Sequence, residues 1–293
     1  MKTSVKIVSW NIQWGRGADG RVDLERTVRA LRALGGTGGA DVICLQEVAS
    51  NLAGLPGGAR EDEPAWFAEA FPGYEPAFGA ALDVRDGEGG RSRFGNLVLS
   101  RLPVDQVFRH LLPSPPDPAQ PSMQRVCVET VVAVPWGWLR VMTTHLEYYS
   151  QRQRRAQAEA LRALQREAAA NAVAVGGGVR DEGNPAFAAR PRPASAVLCG
   201  DFNCEPDSPE LAALCEPLGN VGPGWRDAWQ IRHPQLAHEP TVGLHGAEWP
   251  DRPYCCDYFF VTADLAGLVK GVEVDTDTPA SDHQPVVLTL ALG

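Results

Sequence analysis

The sequence contains few lysines, no long run of apolar residues and no closely spaced cysteine pairs of the kind that bind zinc. Only three of its 293 residues are lysine, and the formal net charge is −9. Nonspecific binding to DNA or RNA depends largely on Lys and Arg contacts to phosphate. This charge balance therefore argues against a general nucleic-acid-binding protein, although it leaves room for a local basic groove.

No segment is long and apolar enough to span a membrane, and residues 1–4 lead directly into a predicted strand without the apolar core of a signal peptide. We therefore expect no integral membrane segment and a cytoplasmic protein. The seven cysteines are an odd number, spread over apolar segments. In a chain without an export signal this pattern predicts reduced, buried thiols.

The composition is that of a globular protein with a sizeable core, with 44% hydrophobic and 22% charged residues. The length fits one large domain or two ordinary ones. Predicted strands continue to the end of the chain, so we expect a single domain over residues 1–293. Residues 176–195 are rich in Gly, Pro, Ala and Arg without a period, which predicts a flexible surface insertion.

Residues 5–9 alternate as a strand does, residues 23–34 have helical spacing, and residues 41–45 form a second apolar run. This order predicts a strand–helix–strand crossover, which packs a helix against a sheet. Residues 51–64 and 83–93 are rich in Gly and charge and are predicted to be loops. Further strands are predicted at 96–99, 126–134, 139–144 and 196–199.

The clearest predicted helix spans residues 150–170. Ala156, Ala160, Leu164 and Ala168 form its apolar stripe. Another face carries Arg152, Arg155, Arg162 and Arg166, and we interpret it as solvent-exposed rather than as a substrate-binding strip.

Polar residues follow several of the apolar runs. Asn11, Glu47 and His145 each come at or just after the end of a predicted strand, and Asp201 and Asn203 follow residues 196–199 after a turn at a glycine. Taken singly, each is also typical of a strand end or an Asx turn. Together they indicate one polar site at the edge of a buried sheet. Clustered carboxylates repel one another, so such a site favours a bound cation and a metal-dependent hydrolase.

Ser281, Asp282 and His283 precede the last apolar run. Adjacent side chains in extended chain point to opposite faces, so these three cannot form a serine-hydrolase triad. Opposite orientations suit two separate tasks, with Asp282 toward a metal ion and His283 toward the scissile phosphate. Asp257, before another apolar run, is a candidate to orient His283 through a hydrogen bond.

In this order, the segments resemble the endonuclease/exonuclease/phosphatase superfamily, which has the pancreatic deoxyribonuclease-like fold. The resemblance covers essentially the whole chain and implies an α/β (α+β) four-layer sandwich, with two face-to-face mixed β-sheets flanked by helices. The matching segments are Ser9-Trp10-Asn11, Leu45-Gln46-Glu47-Val48, residues 95–101, Thr144-His145-Leu146, Gly200-Asp201-Phe202-Asn203, Asp227-Ala228-Trp229, Asp257-Tyr258 and Ser281-Asp282-His283.

Carried over to these positions, the resemblance implies a catalytic Mg²⁺ ion, for which Mn²⁺ would substitute. Glu47 would be its principal ligand, with Asn11 and Asp282 contributing nearby. Asp201 would position or deprotonate the attacking water, helped by Asn203.

The resemblance also implies roles for two histidines. His145 and His283 would hydrogen-bond the phosphate oxygens or protonate the leaving group, with Asp257 fixing His283. Asn96 and Arg125 would shape the substrate-binding part of the site.

The chain departs from the family pattern in three ways, one of which is that no Lys-rich or aromatic recognition loop indicates a nucleic-acid substrate. Cys255-Cys256 stand where members often have Arg-Ile before the Asp-Tyr pair. No acid partner of His145 is evident, and the candidates in the 83–93 segment are Asp83, Asp86 and Glu88.

We therefore expect a Mg²⁺-dependent phosphoesterase that hydrolyses a phosphodiester or phosphomonoester by metal-assisted in-line attack of water. The acidic balance favours a small molecule or lipid headgroup as substrate, and the expected oligomeric state is a monomer. Three alternatives differ in class: a DNA or RNA nuclease, a catalytically silent binding module and a structural zinc protein. The nuclease would need a groove of arginines drawn from Arg91, Arg93, Arg152, Arg154 and Arg155, and the zinc site would use Cys199, Cys204, Cys255 and Cys256.

Overall fold

A computed structural model describes residues 3–34, 38–174, 183–246 and 249–292. Two six-stranded sheets pack face to face, and helices cover their outer surfaces. The predicted four-layer sandwich is confirmed. The strands are β1 Ser4–Asn11, β2 Val42–Ser50, β3 Glu75–Arg85, β4 Arg91–Ser100, β5 Val104–Leu111, β6 Val126–Val134, β7 Gly137–His145, β8 Ala196–Asp201, β9 Trp225–Asp227, β10 Asp257–Thr262, β11 Val269–Val274 and β12 Val286–Ala291. The α-helices are α1 Leu24–Leu34, α2 Glu63–Ala70, α3 Gln151–Val173, α4 Pro209–Leu214 and α5 Ala228–Arg232.

The strand order is β11-β12-β1-β2-β4-β3 in the first sheet and β5-β6-β7-β8-β10-β9 in the second. Each sheet contains one parallel pair, β1 with β2 and β7 with β8. Their crossovers contain α1 and α3, as parallel neighbours require. Parallel strands end at the same edge of a sheet, so Asn11 at the end of β1, His145 at the end of β7 and Asp201 at the end of β8 can converge.

The core between the sheets consists mainly of Val, Ile and Leu side chains from both inner faces. Such β-branched side chains pack well on a pleated surface. A polar contact in this core joins the two sheets: the buried Gln46 Nε2 donates to Thr143 Oγ1 at 2.8 Å. A second cluster packs α1 and α2 on the first sheet, and a third packs α3 and α4 on the second.

Two strand boundaries differ from the sequence prediction. Residues 83–93, predicted to be a loop, belong mostly to the β3–β4 hairpin, which closes over only residues 86–90. Strand β2 does not end before Glu47 but continues to Ser50 beyond an irregularity in its pairing with β4. In the first place the backbone hydrogen bonds of the hairpin override a composition rich in Gly and charge, and in the second the pairing of β2 with β4 resumes at Val48 and extends the strand.

Helix α3 is where predicted but presents a different face to the core. Its buried side chains include Gln153, Gln157 and Gln165 beside Leu161, whereas Leu164 of the predicted stripe is only half-buried. The glutamines can be buried because each donates to a backbone carbonyl oxygen of a neighbouring loop. The predicted solvent-exposed face is confirmed for the arginines at 152, 155 and 166.

Residues 175–182 of the predicted flexible insertion lie outside the described residues. From residue 183 to 195 the chain is largely exposed and contains a short 3₁₀ turn at Pro185–Phe187. In the described part of the chain, no helix is long and apolar enough to cross a membrane. All seven cysteines are free thiols, six of them buried and Cys215 partly exposed.

Candidate active site

A cavity of about 590 Å³ opens where the carboxyl ends of β1, β7 and β8 meet. Its size falls within the range of sites for small ligands. The structure brings seven of the ten predicted site residues to its lining: Glu47, Arg125, His145, Asp201, Asn203, Asp282 and His283.

Asn11 lies beneath this lining and joins its acidic residues. Its Nδ2 donates to Glu47 Oε1 and to Asp201 Oδ2, both at 3.1 Å. The same nitrogen lies 3.5 Å from His283 Nε2. The amide Oδ1 accepts from the backbone N–H of Gln13. One side chain at the end of β1 thus contacts groups from three other segments of the chain.

Glu47 reaches the cavity through an unusual backbone conformation. It has φ 58°, in the left-handed region, at the pairing irregularity between Leu45 and Val48. Non-glycine residues rarely adopt this conformation and keep it only when their surroundings impose it. One such constraint is the buried Glu63, whose Oε2 accepts from the backbone N–H of Ala49 at 2.8 Å. The irregularity turns the Glu47 side chain toward the cavity. Glu47 can therefore reach the cavity although it lies within β2 rather than beyond its end.

Asp201 is held at the end of β8 by a close approach between neighbouring strands. Gly200 has φ +135° and pairs with Thr144, whose carbonyl oxygen occupies the space that any Cβ at position 200 would need. Asp201 Oδ1 accepts from the backbone N–H of Asn203, and Asp201 is 1% exposed. Gly200 therefore lets the chain turn, as predicted, and also allows the two neighbouring strands to pack closely.

His145 lies between Asn203 and the acids. Its Nε2 is 2.9 Å from Asn203 Nδ2 and 3.4 Å from Asp201 Oδ2, and its Nδ1 is 3.9 Å from Glu47 Oε1. Burial and the charges of Arg125 and His283 hold the pKa of His145 well below its ordinary value. The ring is therefore neutral, accepts from Asn203 at Nε2 and carries its proton on Nδ1.

The acid partners proposed for His145 from the sequence are wrong. Asp83 pairs with Arg91 and Arg93, and Asp86 and Glu88 both pair with Arg60. These acids lie at and beside the tip of the β3–β4 hairpin, where they form ion pairs with arginines. The carboxylates near His145 are instead those of Glu47 and Asp201.

His283 forms a dyad with Asp257, as predicted. Its Nδ1 lies 2.9 Å from Asp257 Oδ2, which also accepts from Thr241 Oγ1 at 2.6 Å. Its backbone carbonyl accepts from the Trp10 indole, which fixes the segment. Burial alone would lower the pKa of His283, but the carboxylates of Asp257 and Asp201 outweigh it and raise that pKa well above its ordinary value. His283 is therefore a protonated imidazole with Nε2–H directed toward Asp201, 3.6 Å away.

Asp282 is oriented by a residue that the sequence analysis did not identify. Gln13 Nε2 donates to Asp282 Oδ2 at 2.6 Å, and Ser281 Oγ donates to Asp282 Oδ1 at 3.2 Å. Gln13 is two residues beyond Asn11, a spacing that could have suggested a shared face. However, its φ of 45° breaks the alternation on which that suggestion depends.

The two predicted substrate contacts are placed differently. Arg125 lines the cavity, is 5% exposed and donates from Nε to Glu147 Oε2 at 3.2 Å. Glu147 was not identified from the sequence either, although it follows His145 by two residues. Asn96 does not line the main cavity; it is buried beside it, where its Nδ2 donates to the carbonyl oxygen of Val126.

Electrostatics of the cavity favour a cation. Burial, followed by the charge of Asp282, raises the pKa of Glu47 to about 7. Burial also raises the pKa of Asp282, and raises that of Asp201 to about 6 against the opposing charge of His283. Three acids whose charged forms are disfavoured would each be stabilised by a positive ion.

The donor set fits a hard divalent cation. Carboxylate and amide oxygens are the ligands that Mg²⁺ prefers, and proteins typically supply one or two carboxylates while waters and substrate phosphate complete the shell. Glu47 and Asp282, with the amides of Asn11 and Gln13 close by, match that description. Within the described residues, no three acids converge tightly enough to form a complete site by themselves.

The alternative of a structural zinc site is not supported. Among the described residues, the one group of three or more metal-binding side chains with mutually close ligand atoms is Cys256, Asp257 and His283. These are hydrogen-bonded to one another as the dyad and its neighbour. The four cysteines proposed for zinc do not come together.

The fold and the cavity together place the candidate site at the edge of a two-sheet sandwich. Residues 8–283 match the model of the Endonuclease/Exonuclease/phosphatase family, and the chain belongs to this family, whose members are phosphoesterases. No match to a curated protein was found by sequence.

Solved structures share the fold. An endonuclease/exonuclease/phosphatase from Beutenbergia cavernae is 26% identical with a TM-score of 0.66, covering 100% of this chain and 72% of that one. A mannosyl-6-phosphatase from Bacteroides thetaiotaomicron is 17% identical, with a TM-score of 0.65 and coverage of 98% and 100%. A 3′ phosphatase from Neisseria, solved with a product DNA hairpin, is 20% identical, with a TM-score of 0.62 and the same coverage.

Proposed function

We propose that this protein is a Mg²⁺-dependent phosphoesterase that hydrolyses a small phosphodiester, or a phosphomonoester, by in-line attack of water. One observation carries the proposal: Glu47, Asp201, His145 and His283, from separate parts of the sequence, line a single cavity. A buried group of acids beside one neutral and one protonated imidazole suits acid–base chemistry on an anionic ester.

Asp201 is the proposed general base. Its raised pKa, about 6, lies near neutral pH, where a carboxylate both remains ionised and accepts a proton effectively. The backbone N–H of Asn203 and the amide of Asn11 fix its two oxygens. The attacking water would therefore meet an acceptor of defined direction.

The two histidines have different tasks because they differ in protonation. His283 holds a proton on Nε2 and is kept charged by Asp257, so it hydrogen-bonds a phosphate oxygen or protonates the departing oxygen. Neutral His145 has its Nε2 occupied by Asn203 and helps to position the phosphate through its Nδ1–H. Asn203 fixes the tautomer of His145 in the same way that Asp257 fixes that of His283.

Glu47 and Asp282 would hold the ion, with Asn11 as the third predicted ligand. When bound, Mg²⁺ would neutralise the charge that accumulates on the phosphate oxygens in the transition state. Gln13 fixes Asp282, which lines the same cavity as Glu47, by donating to one of its oxygens. Asn11 would need to turn its Oδ1 toward the ion, since its Nδ2 now contacts the two acids.

A nuclease is the second candidate, because a family structure from Neisseria was solved with a DNA hairpin. Four of the five arginines that a nuclease groove would need pair with acids outside the cavity. Arg91 and Arg93 pair with Asp83, Arg154 pairs with Glu210, and Arg155 pairs with Glu159. None of the five proposed arginines lines the cavity. This distribution favours a substrate with one phosphate over a polyanion.

The test is hydrolysis of bis(p-nitrophenyl) phosphate with Mg²⁺ or Mn²⁺, before and after chelation. We expect turnover that chelator abolishes, and a loss of kcat of about 100-fold or more in Asp201→Asn and in His283→Ala. Glu205→Gln, an exposed change outside the cavity, is the control and should keep the wild-type rate. Full turnover in excess chelator, or wild-type rates in both site variants, would refute the proposal.

A panel of substrates at equal metal concentration separates the two candidates. It comprises supercoiled plasmid, a single-stranded oligonucleotide, nucleotide monophosphates, sphingomyelin and the aryl diester. Faster cleavage of plasmid or oligonucleotide than of any small ester would identify a nuclease.

A further inference from the structure

Beyond its acids and histidines, the cavity has a second surface that the proposed chemistry does not use. We infer that this surface binds an uncharged, apolar, ring-containing group of a small-molecule phosphate ester, which is thereby selected as substrate. The inference deepens the proposed function and rests on it. The surface has two parts: an apolar wall formed by Trp14, Leu55, Leu82 and Phe94, and an aromatic rim formed by Tyr148 and Trp249.

The apolar wall combines Leu82 of β3 and Phe94 of β4 with Trp14 and Leu55, which lie in turns outside the sheet. Trp14 and Phe94 have ring centroids 6.5 Å apart, and the Trp14 indole donates to the carbonyl oxygen of Pro56 at 3.0 Å. Trp14 also has left-handed backbone angles, φ 45° and ψ 36°, which a tryptophan rarely adopts. Backbone strain that the surroundings impose is concentrated at binding and catalytic sites. The strain here places an indole in the cavity, three residues after Asn11.

The aromatic rim lies beside the reacting groups. Tyr148 and Trp249 contact each other edge to face at 5.4 Å, and the centroid of Trp249 is 6.1 Å from that of the His283 ring. Tyr148 remains 39% exposed although it follows the catalytic strand β7 by only three residues. Trp249 beside His283, with the exposed Tyr148 packed against it, is available to a ring attached to the phosphate that His283 would contact.

The charges of the lining also define the substrate. Of the described residues that line the cavity, Arg125 is the one Lys or Arg side chain, and it already donates to Glu147. Neither the apolar wall nor the aromatic rim contains a charged group. A second anionic group of a substrate would therefore be desolvated there without a partner, which is unfavourable. An uncharged ring would only replace water on apolar surface.

The volume sets the size of the occupant. About 590 Å³ accommodates one small molecule but not a polymer. An aryl group and a lipid chain both present apolar surface. Paired aromatic side chains, however, make their most favourable contacts with other rings. This favours a soluble aromatic ester over a lipid presented in a bilayer.

The experiment uses diesters with the same p-nitrophenyl leaving group and a different second substituent: methyl, phenyl, carboxyphenyl or thymidylyl. A constant leaving group keeps the intrinsic reactivity similar, so differences in kcat/KM report on binding of the second group. We expect kcat/KM of the phenyl ester to exceed that of the methyl ester about 10-fold, because one or two aromatic contacts contribute binding energy of this size. It should also exceed kcat/KM of the carboxyphenyl and thymidylyl esters.

Trp249→Ala and Trp14→Ala should each reduce the phenyl-to-methyl ratio at least about 3-fold. Trp138→Ala is the matched control: this tryptophan is 40% exposed and lies near the start of β7, about 20 Å along the strand from His145. It should leave the ratio unchanged. A variant that is merely less well folded would lower both rates together, so an unchanged ratio in Trp249→Ala and Trp14→Ala overturns the inference.

The remaining outcomes are separable. Absence of metal-dependent release from every ester would remove the proposed function itself. Metal-dependent release with a phenyl-to-methyl ratio near one, or with the carboxyphenyl or thymidylyl ester preferred, would keep the proposed function and overturn the inference. Sphingomyelin vesicles hydrolysed faster than the phenyl ester would also overturn it, because the occupant would then be a lipid.

Discussion

His283 Nδ1 and Asp257 Oδ2 lie 2.9 Å apart, and the same carboxylate oxygen accepts the Thr241 hydroxyl. Asp257 is the first residue of β10 and pairs directly with Asp201, the last residue of β8. The dyad is therefore anchored to the strand pair that also carries the proposed base. A charged imidazole held in this way is the part of the site that a conservative substitution should affect most clearly.

Asp257→Asn should lower kcat about 100-fold or more with little change in KM, because a neutral amide cannot stabilise the His283 imidazolium. It should also lower the pKa of His283. If protonated His283 is needed, activity is lost as pH rises through that pKa, so the basic limb of the kcat/KM profile should move to lower pH. Asp227→Asn, which alters another Asp–His pair, with His238 at 2.8 Å, is the control. Equal effects of the two substitutions would contradict the assignment.

Metal binding should be measurable without turnover. Mg²⁺ or Mn²⁺ at about 100 times its Kd should stabilise the wild-type protein by about 2.7 kcal/mol, seen as a rise in Tm relative to NaCl of equal ionic strength. Glu47→Gln should lose most of this rise, since it removes the principal predicted ligand. Glu205→Gln should keep it. A rise of equal size in Glu47→Gln would exclude Glu47 as a ligand.

The pH dependence of the free energy of unfolding should reveal the raised pKa of Glu63. Burial raises its pKa from an ordinary 4.5 to about 8 in the folded protein. Between these values the folded state binds more protons at Glu63 than the unfolded state does, so its contribution to stability falls as pH rises through this window. Glu63→Gln, which imitates the protonated acid, should therefore be more stable than wild type at pH 8 by about 1–3 kcal/mol.

The advantage of Glu63→Gln should shrink toward pH 5, as urea unfolding at both pH values would show. Glu69→Gln, an exposed change on the same helix, should give no such trend. A difference from wild type that is constant with pH would show that Glu63 is ionised in the folded protein.

Gly200→Ala should destabilise the protein by at least about 3 kcal/mol, because the new Cβ would collide with the Thr144 carbonyl oxygen at a φ of +135°. Any folded fraction should also be impaired in catalysis, since the collision displaces Asp201. Gly267→Ala, where nothing lies within 4 Å of the added Cβ, is the control. A free energy of unfolding within about 0.5 kcal/mol of wild type would show that the two strands can separate without cost.

Much of this site could be predicted from local sequence. Asn11, His145 and Asp201 end β1, β7 and β8 as the apolar runs indicated, because a strand that is buried on both faces has an apolar sequence up to the edge of the sheet. The dyad of Asp257 and His283 could be proposed because the family pattern contains both residues. These features depend on short segments and on their order along the chain.

Other features could not be predicted in this way. The candidate acids for His145 were wrong, since whether Asp83 meets a histidine or Arg91 depends on where the hairpin lies in space. Gln13 contacts Asp282, and Glu147 contacts Arg125. The sequence around each residue does not indicate which side chain it will contact in the folded protein. The protonation states of His145 and His283 depend on burial and neighbouring charges in the same way.

By itself, the sequence determined the alternation of strands and helices, the residue types at the ends of strands and hence the family chemistry, because each depends on periodicity and composition over a few residues. Only the tertiary structure decided that Glu47 turns out of β2 at a left-handed residue, that four of the five candidate groove arginines pair with acids outside the cavity, and that Trp14 and Trp249 share the cavity with the acids. These are distances between segments far apart in the chain, and they exist only once the two sheets pack.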